Sequence, residues 1–217
     1  MTLDEILTLA PVIPVLVIER VEDAAPLARA LVRGGLPVLE VTLRTPAALA
    51  CIEQIARVEG AVVGAGSVLT AAQLEQVAAA GVRFAVSPGF SATLVERAPV
   101  PFLPGVATAS EAMAALACGC RFAKLFPAEV LGGVALLRAL QGPLAALRFC
   151  PTGGITALGA PAYLAEPNVV CVGGSWMATA AMIRRGDWKA IETLAREASR
   201  LGGEGDSPGD AGLEVGA

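Results

Sequence analysis

The stretch RFAKLF, residues 121–126, sets one lysine inside an apolar run. Read as a β-strand, it points Phe122, Lys124 and Phe126 to one face and Ala123 and Leu125 to the other. A lone ammonium among apolar neighbours is costly unless it is paired or neutralised. Burial favours the neutral amine, which is a nucleophile. The second lysine of the chain, Lys189, falls in RRGDWKAIE, a polar helical pattern in which an ammonium meets water. Lys124 therefore asks for a partner, and PVLEVTL (37–43) supplies one. There Val38, Glu40, Thr42 and, continuing past the run, Arg44 share one parity, while Leu39, Val41 and Leu43 share the other. The apolar set suits helices packed outside, so the polar set faces an interior. Glu40 and Lys124 then project into one cavity from different strands. A buried ion pair is weak evidence by itself. Two such residues near strand ends at the mouth of a barrel point to chemistry.

Working outward, apolar runs recur at 12–18, 37–43, 61–65, 83–87, 101–105, 121–126, 147–152 and 169–174. Helical patterns lie between them. AAPLARALVRGG (24–35) stops on glycines. TPAALACIEQIARV (45–58) opens with a Thr45 cap followed by Pro46. TAAQLEQVAAAG spans 70–81, and TASEAMAALACG spans 108–119 with Thr108 and Glu111 spaced as a capping box. Strand-like runs alternating with helices imply parallel βαβ units. The fold expected is α/β, a single-domain (β/α)₈ TIM barrel over 1–201 with an N-terminal helix. It would be shorter than the ~250 residues typical of that fold. A doubly wound open sheet is the competing architecture. The Gly- and acid-rich segment 202–217 reads as a disordered tail.

Composition narrows the function. The 217 residues are 55% hydrophobic with few aromatics, enough for one sizeable core. A formal charge of −4 and no basic run give no electrostatic case for nucleic acid. The uncharged stretches 149–165 and 167–183 are broken by Pro, Gly, Thr, Asn or Ser, so buried strands with loops are expected rather than a membrane span. MTLDEILTLA begins with acids and lacks the basic start of a secretory signal. Five cysteines (Cys51, Cys118, Cys120, Cys150, Cys171) form no CxxC pattern and read as reduced thiols of a cytoplasmic protein.

The chain contains no histidine. That removes the Ser-His-Asp triad, the commonest general base and most zinc sites. Chemistry must then run on lysine, carboxylates, hydroxyls, thiols or backbone, and a buried lysine beside a carboxylate suits Schiff-base catalysis. Two Gly-Gly stretches, Pro151-Thr152-Gly153-Gly154-Ile155 and Val172-Gly173-Gly174-Ser175-Trp176, follow the last two strand runs. In barrels these loops often cradle phosphate, through close backbone approach and free N–H groups. Gly64-Ala65-Gly66-Ser67 is read as a turn after the third run, and it lacks what a dinucleotide fingerprint requires. Trp176 and Trp188 are taken as packing residues.

Taken in order, EVTLRT (40–45), VGAGSV (63–68), SPG (87–89), PGVAT (104–108), KLFPA (124–128), PTGGI (151–155) and GGSW (173–176) resemble the KDPG aldolase family, the class I 2-keto-3-deoxy-6-phosphogluconate aldolases. The resemblance runs from about Pro11 to Trp176. It implies a homotrimeric barrel that cleaves a 6-phosphorylated 2-keto-3-deoxy sugar acid to pyruvate and glyceraldehyde 3-phosphate, with neither metal nor cofactor. By this similarity Lys124 is the Schiff-base residue and Glu40 the proton-transfer group. Arg44 binds the pyruvyl carboxylate, Ser67 and Pro88 line the pocket, and Phe126 packs beside the imine. Gly153, Gly154, Gly174 and Ser175 correspond to the phosphate region. Ser67 stands where the family more often has threonine, and Leu125 where phenylalanine is frequent. The alternatives are a sibling aldolase acting on 4-hydroxy-2-oxoglutarate or the 6-phosphogalactonate epimer, a sugar-phosphate isomerase, and a non-catalytic phosphosugar-binding protein.

Overall fold

Among the described residues, nine parallel strand segments form one ring of eight positions. The structure, a computed structural model, describes residues 1–202. The segments are β1 (Val12–Leu16), β2 (Val38–Thr42), β3 (Val62–Gly66), β4 (Phe84–Val86), β5 (Phe102–Leu103), β6 (Gly105–Val106), β7 (Phe122–Leu125), β8 (Arg148–Phe149) and β9 (Val172–Gly174). Two sheets run β5-β4-β3-β2-β1-β9 and β6-β7-β8. Parallel bridges Phe149↔Val169 and Thr152↔Gly173 join their far ends. β5 and β6 occupy one ring position, so the expected (β/α)₈ barrel is the fold, not an open sheet.

The run 101–105 breaks at Pro104, which has no N–H to give a ladder. Its carbonyl still accepts the Lys124 N–H at 2.8 Å, so the break does not open the ring. The third strand runs on to Gly66, so Gly64–Gly66 is strand rather than turn. Likewise Gly173 and Gly174 belong to β9, pairing Ile13 and Pro14, and the loop begins only at Ser175.

The helices are α1 (Leu3–Leu7), α2 (Val21–Arg33), α3 (Ala48–Ile55), α4 (Ala71–Ala79), α5 (Ala92–Arg97), α6 (Ala109–Ala117), α7 (Gly133–Gln141), α8 (Ala160–Leu164), α9 (Ala180–Arg185) and α10 (Trp188–Ser199). α2 starts earlier than its apolar pattern because Glu22 and Asp23 sit in its first turn, where acids favour the helix. It ends at Gly34-Gly35, as expected, with Gly35 at φ 86°. Thr108 and Glu111 close the expected capping box, and Thr70 and Gln73 form another. Thr45 does not cap α3, whose N-cap is Ala47. The Thr45 hydroxyl instead donates to the Ile18 carbonyl at 2.6 Å. The stretch around Lys189 is two helices, because Gly186 turns the chain at φ 70° between α9 and α10. Trp176 and Trp188 pack against the core, and Lys189 is exposed.

Two apolar layers result. Outward strand residues such as Leu39, Val41, Ala123 and Leu125 join Ala24, Leu27, Leu31 and Ile52 of the helices. Inside the ring, Ile13, Val38, Phe84, Leu103, Phe122, Cys150 and Cys171 form a second cluster with Ile6 and Leu7 of α1. The N-terminal helix thus closes the barrel floor, held by a capping box between Thr2 and Glu5. Cys51, Cys150 and Cys171 are buried free thiols, while Cys118 and Cys120 are only half-buried in the α6–β7 connection. The tail expected over 202–217 lies, from 203 onward, outside the described residues. Among the described residues no helix is long and apolar enough to cross a membrane.

Ile6→Ala should cost about 2–5 kcal/mol, because a fully buried side chain leaves a cavity in the floor. Urea denaturation checks this, and a loss below about 1 kcal/mol would show that α1 does not seal the ring.

Candidate active site

Glu40 on β2 and Lys124 on β7 hold opposed positions of the ring, and their side chains meet inside it. Lys124 Nζ lies 2.8 Å from Glu40 Oε1 and 3.2 Å from Oε2. The side chains are 6% and 5% exposed, so the pair is sequestered from water. The alternating parity read from β2 and β7 is the observed one. Val38 and Phe122 point into the floor cluster below the pair, and Leu39, Val41, Ala123 and Leu125 point outward.

Missing side chains make room for this contact. A Cβ at Gly66 would overlap the Glu40 carboxylate. At Gly64 it would overlap the Phe84 ring, and at Gly105 the Pro88 backbone. Gly105 pairs with Lys124 in the ladder, which places Pro88 one strand from the amine. The Ser87 hydroxyl ties this corner together by donating to the Gly89 carbonyl at 2.6 Å and accepting the Gly105 N–H at 3.4 Å.

Arg44 is not on the strand, which ends at Thr42. It stands exposed in the following turn, where its Nε reaches Ser67 Oγ at 3.4 Å. Ser67 holds φ 60°, a left-handed conformation uncommon outside glycine. Such strain is kept where the surroundings enforce it, often at functional sites.

Phe126 joins the two halves of the site. Its ring centroid is 5.6 Å from Lys124 Nζ. Its edge lies 3.3 Å from where a Cβ of Gly153 would stand. Gly153 and Gly154 both take positive φ, at 103° and 82°, which a turn of this shape requires. Among the described residues, no protein acceptor takes the amide N–H of Gly153, Gly154 or Ser175. Neither Gly-Gly stretch opens directly onto a helix, since α8 begins at Ala160 and α9 at Ala180. Any anion there would meet turn amides rather than a helix end. Gly174 itself is buried beneath the Trp176 ring, and Ser175 is exposed.

Two inward residues escaped the sequence reading as site components. Thr152 is 5% exposed and shares the inward parity of Cys150, with its hydroxyl where a Cβ of Gly173 would stand. The signal was the Cys150/Thr152 alternation just before the glycines, masked by the short length of β8. The Cys150 thiol lies beneath the ion pair and is held below its ordinary value, first by the Cys171 thiol and then by the Lys124 charge. Cys171 is pushed up by the same contact and by burial. Among the described residues no group of three or more His, Cys, Asp or Glu side chains is arranged to hold a metal ion.

The site thus sets a buried amine against a carboxylate inside a (β/α)₈ barrel. The family model "KDPG and KHG aldolase" matches residues 3–194, and the chain belongs to that family. The KHG/KDPG aldolase of Escherichia coli K12 is 48% identical over 199 residues, 90% of this chain and 93% of its own. The 2-keto-3-deoxy-6-phosphogluconate aldolase of Zymomonas mobilis ZM4, solved with 3-phosphoglycerate, superposes with a TM-score of 0.88 at 50% identity, covering 91% of this chain and 95% of that one. The KDPG aldolase of Legionella pneumophila, with pyruvate captured as a covalent carbinolamine, gives 0.88 at 44% identity over 90% and 97%.

Gly66→Ala should lower aldol turnover about 10²-fold by displacing the Glu40 carboxylate. Steady-state kinetics read the loss and circular dichroism the retained fold. Unchanged turnover would mean that the carboxylate need not sit where it does.

Proposed function

We propose that the chain is a class I aldolase cleaving 2-dehydro-3-deoxy-6-phosphogluconate to pyruvate and glyceraldehyde 3-phosphate through an imine on Lys124. The observation that carries this is the buried 2.8 Å contact between Lys124 Nζ and Glu40 Oε1. A nucleophilic amine must first lose its proton, and here the acceptor is already in place. Family membership and the relatives' names support the substrate, as do the free amides of Gly153, Gly154 and Ser175.

In this reading Glu40 takes the proton of the Lys124 ammonium, the freed amine attacks the C2 carbonyl, and Glu40 returns that proton to the departing hydroxyl, so that water leaves, a protonated imine forms and Glu40 is again a carboxylate. The imine draws the C3–C4 bonding electrons toward nitrogen. Glu40 takes the C4 hydroxyl proton, glyceraldehyde 3-phosphate departs, and an enamine remains. A proton returned from Glu40 to the enamine carbon gives the pyruvate imine, which water releases. Arg44 offers a planar fork to the substrate carboxylate, with Ser67 beside it. Pro88 and Phe126 shape the walls, and Gly174 and Ser175 extend the phosphate region beside Gly153 and Gly154. The chemistry assigned to these residues uses neither metal nor cofactor. By the same family likeness the protein is a cytoplasmic homotrimer, with no nucleic-acid or membrane partner.

One further reading has an observation behind it. The Escherichia coli relative carries the dual name KHG/KDPG, so 4-hydroxy-2-oxoglutarate is a second candidate substrate. Relative kcat/KM on it, on the gluconate and on the galactonate epimer decides among them.

Borohydride reduction in the presence of pyruvate should leave a permanent adduct on Lys124, read by peptide mass spectrometry. An unchanged mass, or an adduct on Lys189 alone, overturns the imine. Glu40→Gln should slow turnover by about 10²–10⁴-fold while the protein stays folded, and survival of activity within about a factor of two would remove its proton role. Arg44→Lys should raise KM for pyruvate more than it lowers kcat, because a point charge replaces a fork.

A further inference from the structure

Tyr163 of α8 is 2% exposed, and its hydroxyl donates a 2.6 Å hydrogen bond to Glu129 Oε1. Neither residue has a part in the chemistry above. Burial and the Glu129 carboxylate push the Tyr163 phenol well up, so it stays protonated and remains the donor. Glu129 follows β7 on a segment that runs beside the glycine turn. Its N–H donates to the Gly153 carbonyl at 3.1 Å, and the Ala128 N–H donates to the Thr152 carbonyl at 2.9 Å. The β- and γ-carbons of Glu129 lie 2.7 Å from where a Cβ of Gly154 would stand. The Tyr163 hydroxyl also abuts Gly133, the first residue of α7. One hydrogen bond therefore ties the helix downstream of the turn to the wall on which the turn leans.

A turn made of two positive-φ glycines has wide conformational freedom, and ordering it costs entropy. If the turn is to offer two free amides to an anion, something must hold it beforehand. We propose that the Tyr163–Glu129 hydrogen bond is that hold: a positioning pair that sets the Gly153–Gly154 turn for the substrate's phosphate and so sets preference for phosphorylated over unphosphorylated substrates. It rests on the aldolase reading above and adds residues to it. The pair acts on the phosphate end, because its contacts are to the Gly153–Gly154 turn and to Gly133 rather than to Lys124, Glu40 or Arg44.

The test is condensation of pyruvate with D-glyceraldehyde 3-phosphate and, separately, with D-glyceraldehyde. In Tyr163→Phe, KM for the phosphorylated aldehyde should rise about tenfold, the scale of one hydrogen bond to a charged group. Its kcat and the kcat/KM for D-glyceraldehyde should stay within about twofold, as for an interaction remote from the reacting atoms. Glu129→Gln keeps an acceptor and should restore near-native KM, whereas Glu129→Ala should match Tyr163→Phe. The double variant Tyr163→Phe/Glu129→Ala should be no worse than either single change, since both remove the same bond. Equal losses on the two aldehydes, or discrimination unchanged in every variant, overturn the proposal. A wild-type enzyme indifferent to the phosphate would overturn the phosphate reading and this pair's role with it. Pyruvate trapping on Lys124 reports on the imine independently of either result.

Discussion

A carboxylate and an amine, brought from opposed walls of a closed ring, must touch at its centre. Each ion would lose several kcal/mol of hydration on burial alone, and only close, well-aligned contact offsets that loss. Glu40 and Lys124 meet this condition with two contacts to one amine. The condition reaches outward into the rest of the molecule. Gly66 must lack a side chain for the carboxylate to lie over β3, and Gly105 must lack one so that Pro88 can close beside β7. Below the pair, the apolar floor of Ile13, Val38, Phe84, Leu103 and Phe122, sealed by Ile6 and Leu7, keeps water out from beneath. In such surroundings charge interactions are stronger than in water, which serves the resting contact and would serve the positive charge of the proposed imine.

The same economy of side chains shapes the far half of the mouth. Gly173 yields space to Thr152, and Gly174 to the Trp176 ring. Gly153 and Gly154 instead use their freedom to turn the backbone, leaving amides without protein acceptors among the described residues. Phe126 stands between the amine and this turn, so a ligand covalently held at Lys124 would extend past one aromatic ring toward the free amides. The covalent capture proposed at one end and the anion recognition proposed at the other fit a short phosphorylated chain better than a compact ligand.

Much of this was legible in residue order. The period-two alternation of β2 and β7 set Glu40 and Lys124 facing inward, because one strand face met apolar helices and the other could not. The eightfold alternation of apolar runs and helical patterns called for parallel βαβ units, with a barrel expected and an open sheet competing until the closing bridges decided for the ring. Other features were not legible, for identifiable reasons. Arg44 continues the parity of β2 on paper, but the strand stops two residues earlier and the turn delivers the side chain. Thr45 looked like a cap until a buried carbonyl, that of Ile18, offered a better partner. Gly66 read as turn because glycine weakens isolated strands; here the Glu40 carboxylate fills the space a side chain would take. The Tyr163–Glu129 bond has no local signature, since its partners are 34 positions apart.

Composition and periodicity by themselves determined the layers of the fold, the want of histidine chemistry and the candidate pair, because each depends on side-chain type and strand alternation. The tertiary structure alone decided that the two side chains meet at 2.8 Å, that Ser67 takes a strained turn beside Arg44, and that Tyr163 clasps the wall of the glycine turn. Those facts arise from ring closure, which sets distances between residues that no local interaction along the chain can fix; the pair itself is separated by 84 positions.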